Sequence, residues 1–276
     1  MAIFSGKIVP KTIGEESNFF AWTIPIMDSF SARLEGDTDD DTTVVLGTLC
    51  SLMKALAQLL VGHPENWERL MHVGGLGAIA RVMRASPVVS DFSDIQEHGC
   101  DLLACLIQGN DAALMELLRP PENDSSRLTM DHIQGLARSN VDSIREKFES
   151  SLLPELCKQV MVVMKRTSRD DDIQVMGCDM LVWLISTKPA TVAPLVWDDD
   201  AGMMNHLTQL CLFVDDNSTL LLPKCQAVLR VLFEQDGETV CNKMFQAAYE
   251  VGSPDSNPAY SFVTTLRASR GIAKIE

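Results

Sequence analysis

Residues 66–84 read NWERLMHVGGLGAIARVMR, and the fold turns on how this stretch is read. Asn66 is placed to cap a short helix in which Arg69, Leu70 and Val73 follow at helical spacing. Gly74 and Gly75 then offer the positive-φ positions at which one helix ends and the next departs at a sharp angle. Leu76, Ile79, Ala80 and Met83 recur at i, i+3, i+4 and i+7, the apolar stripe of a second helix. Two helices joined by a Gly-Gly break with no strand signal between them predict an all-α chain.

Outward from this hairpin, one apolar stripe recurs. Ile95, Gly99, Leu102, Leu103, Leu106 and Ile107 stand at offsets 0, 4, 7, 8, 11 and 12. Ile173, Gly177, Met180, Leu181, Leu184 and Ile185 repeat those offsets, as do Leu221, Cys225, Val228, Leu229, Leu232 and Phe233. Val45, Leu49, Leu52, Met53, Leu56 and Ala57 form a looser fourth set. Two segments agree in letters as well, DIQEHGCDLLACLI from Asp94 and DIQVMGCDMLVWLI from Asp172. Their aspartates are expected to cap, and glycine at offset 4 permits close helix approach.

The offset-4 positions 49, 99, 177 and 225 are separated by 50, 78 and 48 residues. Helical repeats of this size run roughly 40–47 residues, so the middle interval is long. The surplus is assigned to residues 119–150, RPPENDSSRLTMDHIQGLARSNVDSIREKFES, read as an insertion. Its start is a loop, and Val141, Ile144 and Phe148 are spaced for one amphipathic helix behind Asn140. Such an insertion either serves binding or is a passive surface loop. The expected organisation is 1–41 as an N-terminal cap or arm, 42–250 as the repeat domain, and 251–276 as linker and tail. Within the first part, residues 18–34 are expected to form one or two short helices covering the first repeat's core.

The formal charge of −15, from 23 Lys+Arg against 38 Asp+Glu, argues against nucleic-acid binding, which needs a phosphate-neutralising basic surface. Hydrophobic content of 46% with only 6% aromatics favours packed helices over a β-sandwich and excludes a wholly disordered chain. The eight cysteines form no CxxC pair and fall inside apolar helical patterns, which predicts reduced, buried thiols in the cytosol or another reducing compartment, with the nucleus and cytoskeletal assemblies left open. No apolar run is expected to span a membrane, so no membrane insertion is expected. The N-terminal residues lack the features of a signal or transit peptide, and Asn123 and Asn217 in N-x-S/T sites are then chance matches.

Four motifs are set aside on their chemistry. Gly75, Gly77 and Ala80 spell G-x-G-x-x-A, but a helix rather than a strand is expected before them. Asp37, Asp39 and Asp41 resemble the start of a calcium loop that lacks its turn glycine and its terminal Glu, leaving at most a weak ion site. The five histidines lack metal-ligand spacing, and Asn257–Tyr260 matches NPxY by chance. No catalytic, cofactor or metal residue and no small-molecule substrate is read from the sequence.

The 66–84 hairpin and the four stripes resemble the armadillo-repeat superfamily, ARM/HEAT-like α-solenoids, over roughly residues 42–250. The resemblance implies a right-handed solenoid of about four repeats with an N-terminal cap and one insertion. Such proteins are binding scaffolds or assembly subunits whose third helices line a concave groove for protein partners. A regulator of a GTPase or a chaperone co-factor on the same fold is the alternative; an enzyme is not expected. Import adaptors of the superfamily carry Trp and Asn at offsets 6 and 10. Here Ser51, Asp101, Asp179 and Ala227, and Ala55, Cys105, Trp183 and Val231, stand there, so binding of nuclear-import signals is not implied. The expected partner-binding line is Asp101, Cys105, Asp179, Trp183 and Val231. Trp183 either anchors an apolar or Arg/Lys-bearing segment or is packed by the insertion or a neighbouring repeat.

Overall fold

Gly74 is where the first helical hairpin turns. In the computed structural model its φ is +81°, a left-handed conformation that glycine adopts without strain. Gly75 does not share it: it opens the next helix, and a Cβ there would lie 2.3 Å from Leu70 Cγ and 2.7 Å from the Leu70 carbonyl oxygen. The first glycine supplies the turn and the second supplies the room. Residues 19–35, 42–61, 63–86, 93–108, 110–118, 130–198, 202–212, 220–251 and 257–270 are described, and every regular element among them is helical. By Cα packing the chain divides into two compact units, 1–155 and 156–276.

In the first unit, α1 (Phe19–Glu35) lies on α2 (Thr42–Leu60) and on α4 (Gly75–Ala85), with α3 (Pro64–His72) between them in sequence. It is a single helix, with Pro25 inside it, that buries Phe20, Ile24 and Met27. Asp28 accepts from Arg81 at 2.9 and 2.6 Å. Asn66 is not the expected N-cap: α3 starts at Pro64 behind His63, and the wholly buried Asn66 donates instead to Leu59 O at the end of α2, at 2.8 Å. Leu76, Ile79, Ala80 and Met83 are all buried, as their spacing requires.

Helix α2 packs along α5 (Ser93–Ile107). At 19 residues α2 is long and apolar enough to cross a membrane, contrary to the expectation that no run reaches that length. Its apolarity has a local use, since Val45, Leu46, Leu49, Met53, Leu56, Leu59 and Leu60 are buried within the unit. After α6 (Asp111–Leu118) and α7 (Met130–Ala137), helix α8 (Asp142–Lys147) runs through a π-helical turn, Phe148–Leu152, into α9 (Leu153–Arg166). The N–H of Leu153 bonds to Phe148 O, and this wider turn rotates the helix face by one residue. Ile144, Phe148, Leu152 and Leu153 are all wholly buried. Both α8 and the π turn pack against α5, so the described part of the 119–150 segment is core rather than loop. Asn140 does not cap α8; Val141 stands at its N-cap position without a side-chain cap, and the Val141 N–H donates to Ser139 Oγ at 3.1 Å.

In the second unit, α10 (Asp171–Thr187) packs along α13 (Leu221–Gln235), with α11 (Pro189–Trp197) and α12 (Met203–Leu212) between them in sequence. The α10 cap is Asp170, whose carboxylate accepts from Ile173 N, and not Asp172. Helices α14 (Gly237–Val251) and α15 (Pro258–Ser269) close the unit. The expected linker and tail therefore contain a packed helix. Asn257 caps it by accepting from the N–H groups of Ala259 and Tyr260, while Ala259 and Val263 are buried. The NPxY match is that cap and first turn.

One device recurs in both units. A Cβ on Gly99 would meet Met83 Sδ at 2.5 Å, and one on Gly177 would meet Met164 Sδ at the same distance. Gln96 Nε2 donates to Met83 O at 2.7 Å and reaches Ser86 O at 3.4 Å; Gln174 Nε2 donates to Met164 O and Thr167 O at 2.8 and 2.9 Å. Each glutamine donates to carbonyls at the end of the preceding helix, of which Thr167 O also accepts from the Asp170 N–H. Ser86 and Thr167 donate back to Val82 O and Val163 O, both at 2.7 Å. VMRAS (82–86) and VMKRT (163–167) are the sequence trace of this device. Among earlier readings, the acidic run 37–41, Asn123, Asn217 and the final 271–276 lie outside the described residues.

Candidate functional site

The buried side of α2 leaves Lys54, Ala57, Gln58 and Val61 on its opposite face, again at i, i+3, i+4 and i+7. From α5, His98, Asp101, Ala104, Cys105 and Gln108 face the same space, and Ser150, Ser151 and Glu155 close it from the π turn and the start of α9. Together they line an open groove of about 540 Å³ wholly within the first unit. Its floor is small (Ala57, Ala104, both half-buried), and its exposed rim carries Lys54, Gln58 and Gln108 with the apolar Val61. Lys54, Gln58 and Glu155 make no hydrogen bond among the described residues, so their side chains are available to a ligand.

Asp101 is less available. Its carboxylate accepts from Lys147 Nζ and from Ser151 Oγ, each at 2.9 Å. Cys105, half-buried, has its thiol pushed up by burial first and then by the nearby Asp101 and Glu155 carboxylates. It is therefore protonated near neutrality and a poor nucleophile.

The other three expected residues lie in the second unit. Asp179 accepts from Lys224 Nζ at 2.6 and 2.8 Å, tying α10 to α13. Trp183, one turn further along α10, is half-buried, and its carbonyl accepts from Thr187 at 2.8 Å. Val231 on α13 is half-buried. This unit has its own smaller cavity of about 290 Å³ beside Trp197. Its polar groups are engaged with one another: Asn205 donates to Glu250 at 2.7 Å, and Lys243 pairs with Asp198 at 3.3 Å.

The two aspartates thus share a role that the sequence reading missed. Each pairs with a lysine on a later helix packed against its own. Lys147 stands 46 residues after Asp101, and Lys224 stands 45 after Asp179. That near-equal separation was the available signal. The carboxylates set helix register, and their side chains are 28% and 54% exposed, so each pair is worth little in stability. Asp101→Asn and Asp179→Asn are each expected to lower stability by less than about 1 kcal/mol in urea titrations. The Asp179→Asn effect should shrink further in high salt.

Compared with protein-family models, with curated proteins and with solved structures, the chain matches none. What it does is argued from its own residues.

Proposed function

We propose that this chain is an armadillo-like helical-repeat scaffold whose first unit binds an extended segment of a partner polypeptide in the α2–α5 groove. The observation that carries the reading is the groove itself: a floor of alanines on adjacent helices, beneath side-chain amides and two opposite charges with no partner among the described residues. Small floor residues let a peptide backbone lie close. Gln58 and Gln108 present both donors and acceptors to it. Lys54 and Glu155 favour a segment carrying both signs of charge.

The recurrences support the repeat reading. The Gln–Met–Gly device and the Asp–Lys pairs are what successive units sharing one packing plan would repeat. On that plan α7 takes the part of a second helix, and α8 with the π turn that of a third. The 78-residue interval then divides into two steps of about 39, close to the usual period. The count rises from about four units to about five, and residues 130–150 belong to a unit rather than to an insertion. The reading assigns no catalytic group: Asp101 is engaged in the fold, and the Cys105 thiol is held protonated.

The test fills the groove from its floor. An Ala57→Arg/Ala104→Arg variant places two long cations where both side chains are half-buried on helix faces. In cross-linking with mass spectrometry in cell extract, the natural chain is expected to link to a partner through residues flanking 54–61 and 98–108. The variant, with an unchanged far-UV spectrum, should lose those links, while an outer-face control, Glu68→Arg, should keep them. Links that persist unchanged in the groove variant overturn the reading.

A further inference from the structure

Cys178 on α10 and Cys225 on α13 lie sulfur to sulfur at 3.8 Å, and both are wholly buried. Cys211 on α12 completes a row of three thiols by sharing a hydrogen bond with Cys225, and His206 of the same helix stands close enough to act on it electrostatically. The four side chains are not disposed as the ligands of a metal ion. What the geometry offers is sulfur–sulfur contact between two helices that pack along each other. We propose that Cys178 and Cys225 are an oxidative modification site, joined as a disulfide when the chain meets a hydroperoxide.

The chemistry follows from the row. Cys225 is its middle member: hydrogen bonds from Cys178 and then Cys211 hold its thiol below the ordinary value, against the effect of burial. The same bonds, with burial, push Cys178 and Cys211 up. Cys225 therefore ionises first and is the attacking sulfur. Its thiolate attacks one oxygen of the hydroperoxide, the O–O bond breaks, and the leaving alkoxide or hydroxide takes up the thiol's proton. Cys225 is left as a sulfenic acid. The Cys178 sulfur then attacks the Cys225 sulfur, the S–O bond breaks, and the departing hydroxide takes the Cys178 proton and leaves as water. Two thiols are oxidised by two electrons in total, and the peroxide is reduced to an alcohol or water plus a second water. Closing 3.8 Å to a bond of about 2.05 Å asks for movement of less than about 2 Å, within reach of side-chain rotation and a small helix shift. Cys211 at 3% and His206 at 7% exposure are nearly as buried as the pair itself, so peroxide reaches the row when the helices open locally.

Exposure alone makes the opposite forecast. Cys50 and Cys105 are the two half-buried thiols, so a reagent governed only by access would take them first. Burial, ahead of nearby carboxylates, pushes both of these thiols up.

The reduced full chain is treated with hydrogen peroxide at neutral pH, quenched, unfolded, alkylated and mapped without reduction. The expected result is loss of two of the eight free thiols and a linked pair of peptides holding Cys178 and Cys225, reversed by dithiothreitol. In Cys178→Ala, dimedone is expected to trap a sulfenic acid at Cys225, or Cys225 is found linked to Cys211. Far-UV circular dichroism confirms that the variant is folded. Oxidation of Cys50 or Cys105 ahead of Cys225, a 178–225 link that forms only in urea, or eight thiols intact in the folded chain would each overturn the proposal.

Discussion

Phe148→Ala is expected to destabilise the first unit by about 3–5 kcal/mol, the range for deleting a fully buried aromatic side chain. Phe148 opens the π turn and is wholly buried, together with Ile144 and Leu152, where α8 and the turn pack on α5. Truncation leaves a cavity that two helices must close around, and the wide turn gives them little freedom to do so. Val44→Ala is the matching control: Val44 is 68% exposed on α2, and its truncation should stay within about 0.5 kcal/mol. Because the chain has two units, the effect is best read locally, by hydrogen exchange in peptides covering α5 and α8, rather than from one global midpoint. Were residues 119–150 a passive loop throughout, Phe148→Ala would behave like the control.

That contrast marks where the sequence was legible. The stripes at offsets 0, 4, 7, 8, 11 and 12 identified α2, α5, α10 and α13 because a helix facing one packed neighbour must keep its apolar residues on one face. In α2, however, the stripe's Leu52 and Ala57 are only half-buried, Ala57 lying on the groove side, while Leu46, Leu59 and Leu60 are buried outside it. Gly99 and Gly177 were readable for the same reason: each sits on that face and admits a methionine from the helix before it. The segment around Phe148 was not. A stripe laid on Ile144 and Phe148 meets Ser151 and Glu155 at offsets 7 and 11, because the π turn moves the buried face over by one residue. A template with a fixed 3.6-residue period cannot follow that shift.

Caps were misread through a related ambiguity. Asn66, Asp94 and Asp172 all precede apolar helical runs, which is the sequence signature of an N-cap. Asn66 is instead drawn inside α3 because Pro64 opens that helix two residues earlier, where a missing N–H does no harm. Its amide then serves the end of α2. Asp170, rather than Asp172, caps α10. The proposed binding line suffered from the same limit. Asp101 and Asp179 were correctly placed on recurring helix faces, but composition does not tell a carboxylate waiting for a ligand from one already holding a lysine. Only the 45- and 46-residue separations to Lys224 and Lys147 carried that information.

Gln174→Leu is expected to lower the stability of the second unit by about 2–4 kcal/mol, and Gln96→Leu that of the first by about 1–2 kcal/mol. The side chains are similar in size, and both glutamines are wholly buried, so the difference is one of hydrogen bonds. Gln174 donates to two carbonyls, and its Oε1 lies 3.0 Å from His206 Nε2, which makes that ring nitrogen the donor. Leucine there strands Met164 O and a buried imidazole N–H, and leaves Thr167 O with the Asp170 N–H alone, at 2.9 Å. Gln96 makes one short bond, to Met83 O, and a long one to Ser86 O, and its Oε1 has no partner among the described residues. Fewer groups are stranded when it is lost. Burial also lowers the His206 pKa, so the folded state favours the neutral ring. The stability this contributes is present above the unfolded-state value of about 6.5 and is lost as pH falls through the folded value. The gap between Gln174→Leu and the natural chain should widen on acidification, because protonation adds its proton at Nδ1 and leaves the Nε2–H donating to Gln174 Oε1, now from a charged ring that only the natural chain satisfies. Hydrogen exchange of α10 and α5 peptides at neutral and acidic pH measures both comparisons. Equal losses in the two variants would mean that the glutamines act as packing volume, and the shared device would then be a coincidence of sequence rather than of energetics.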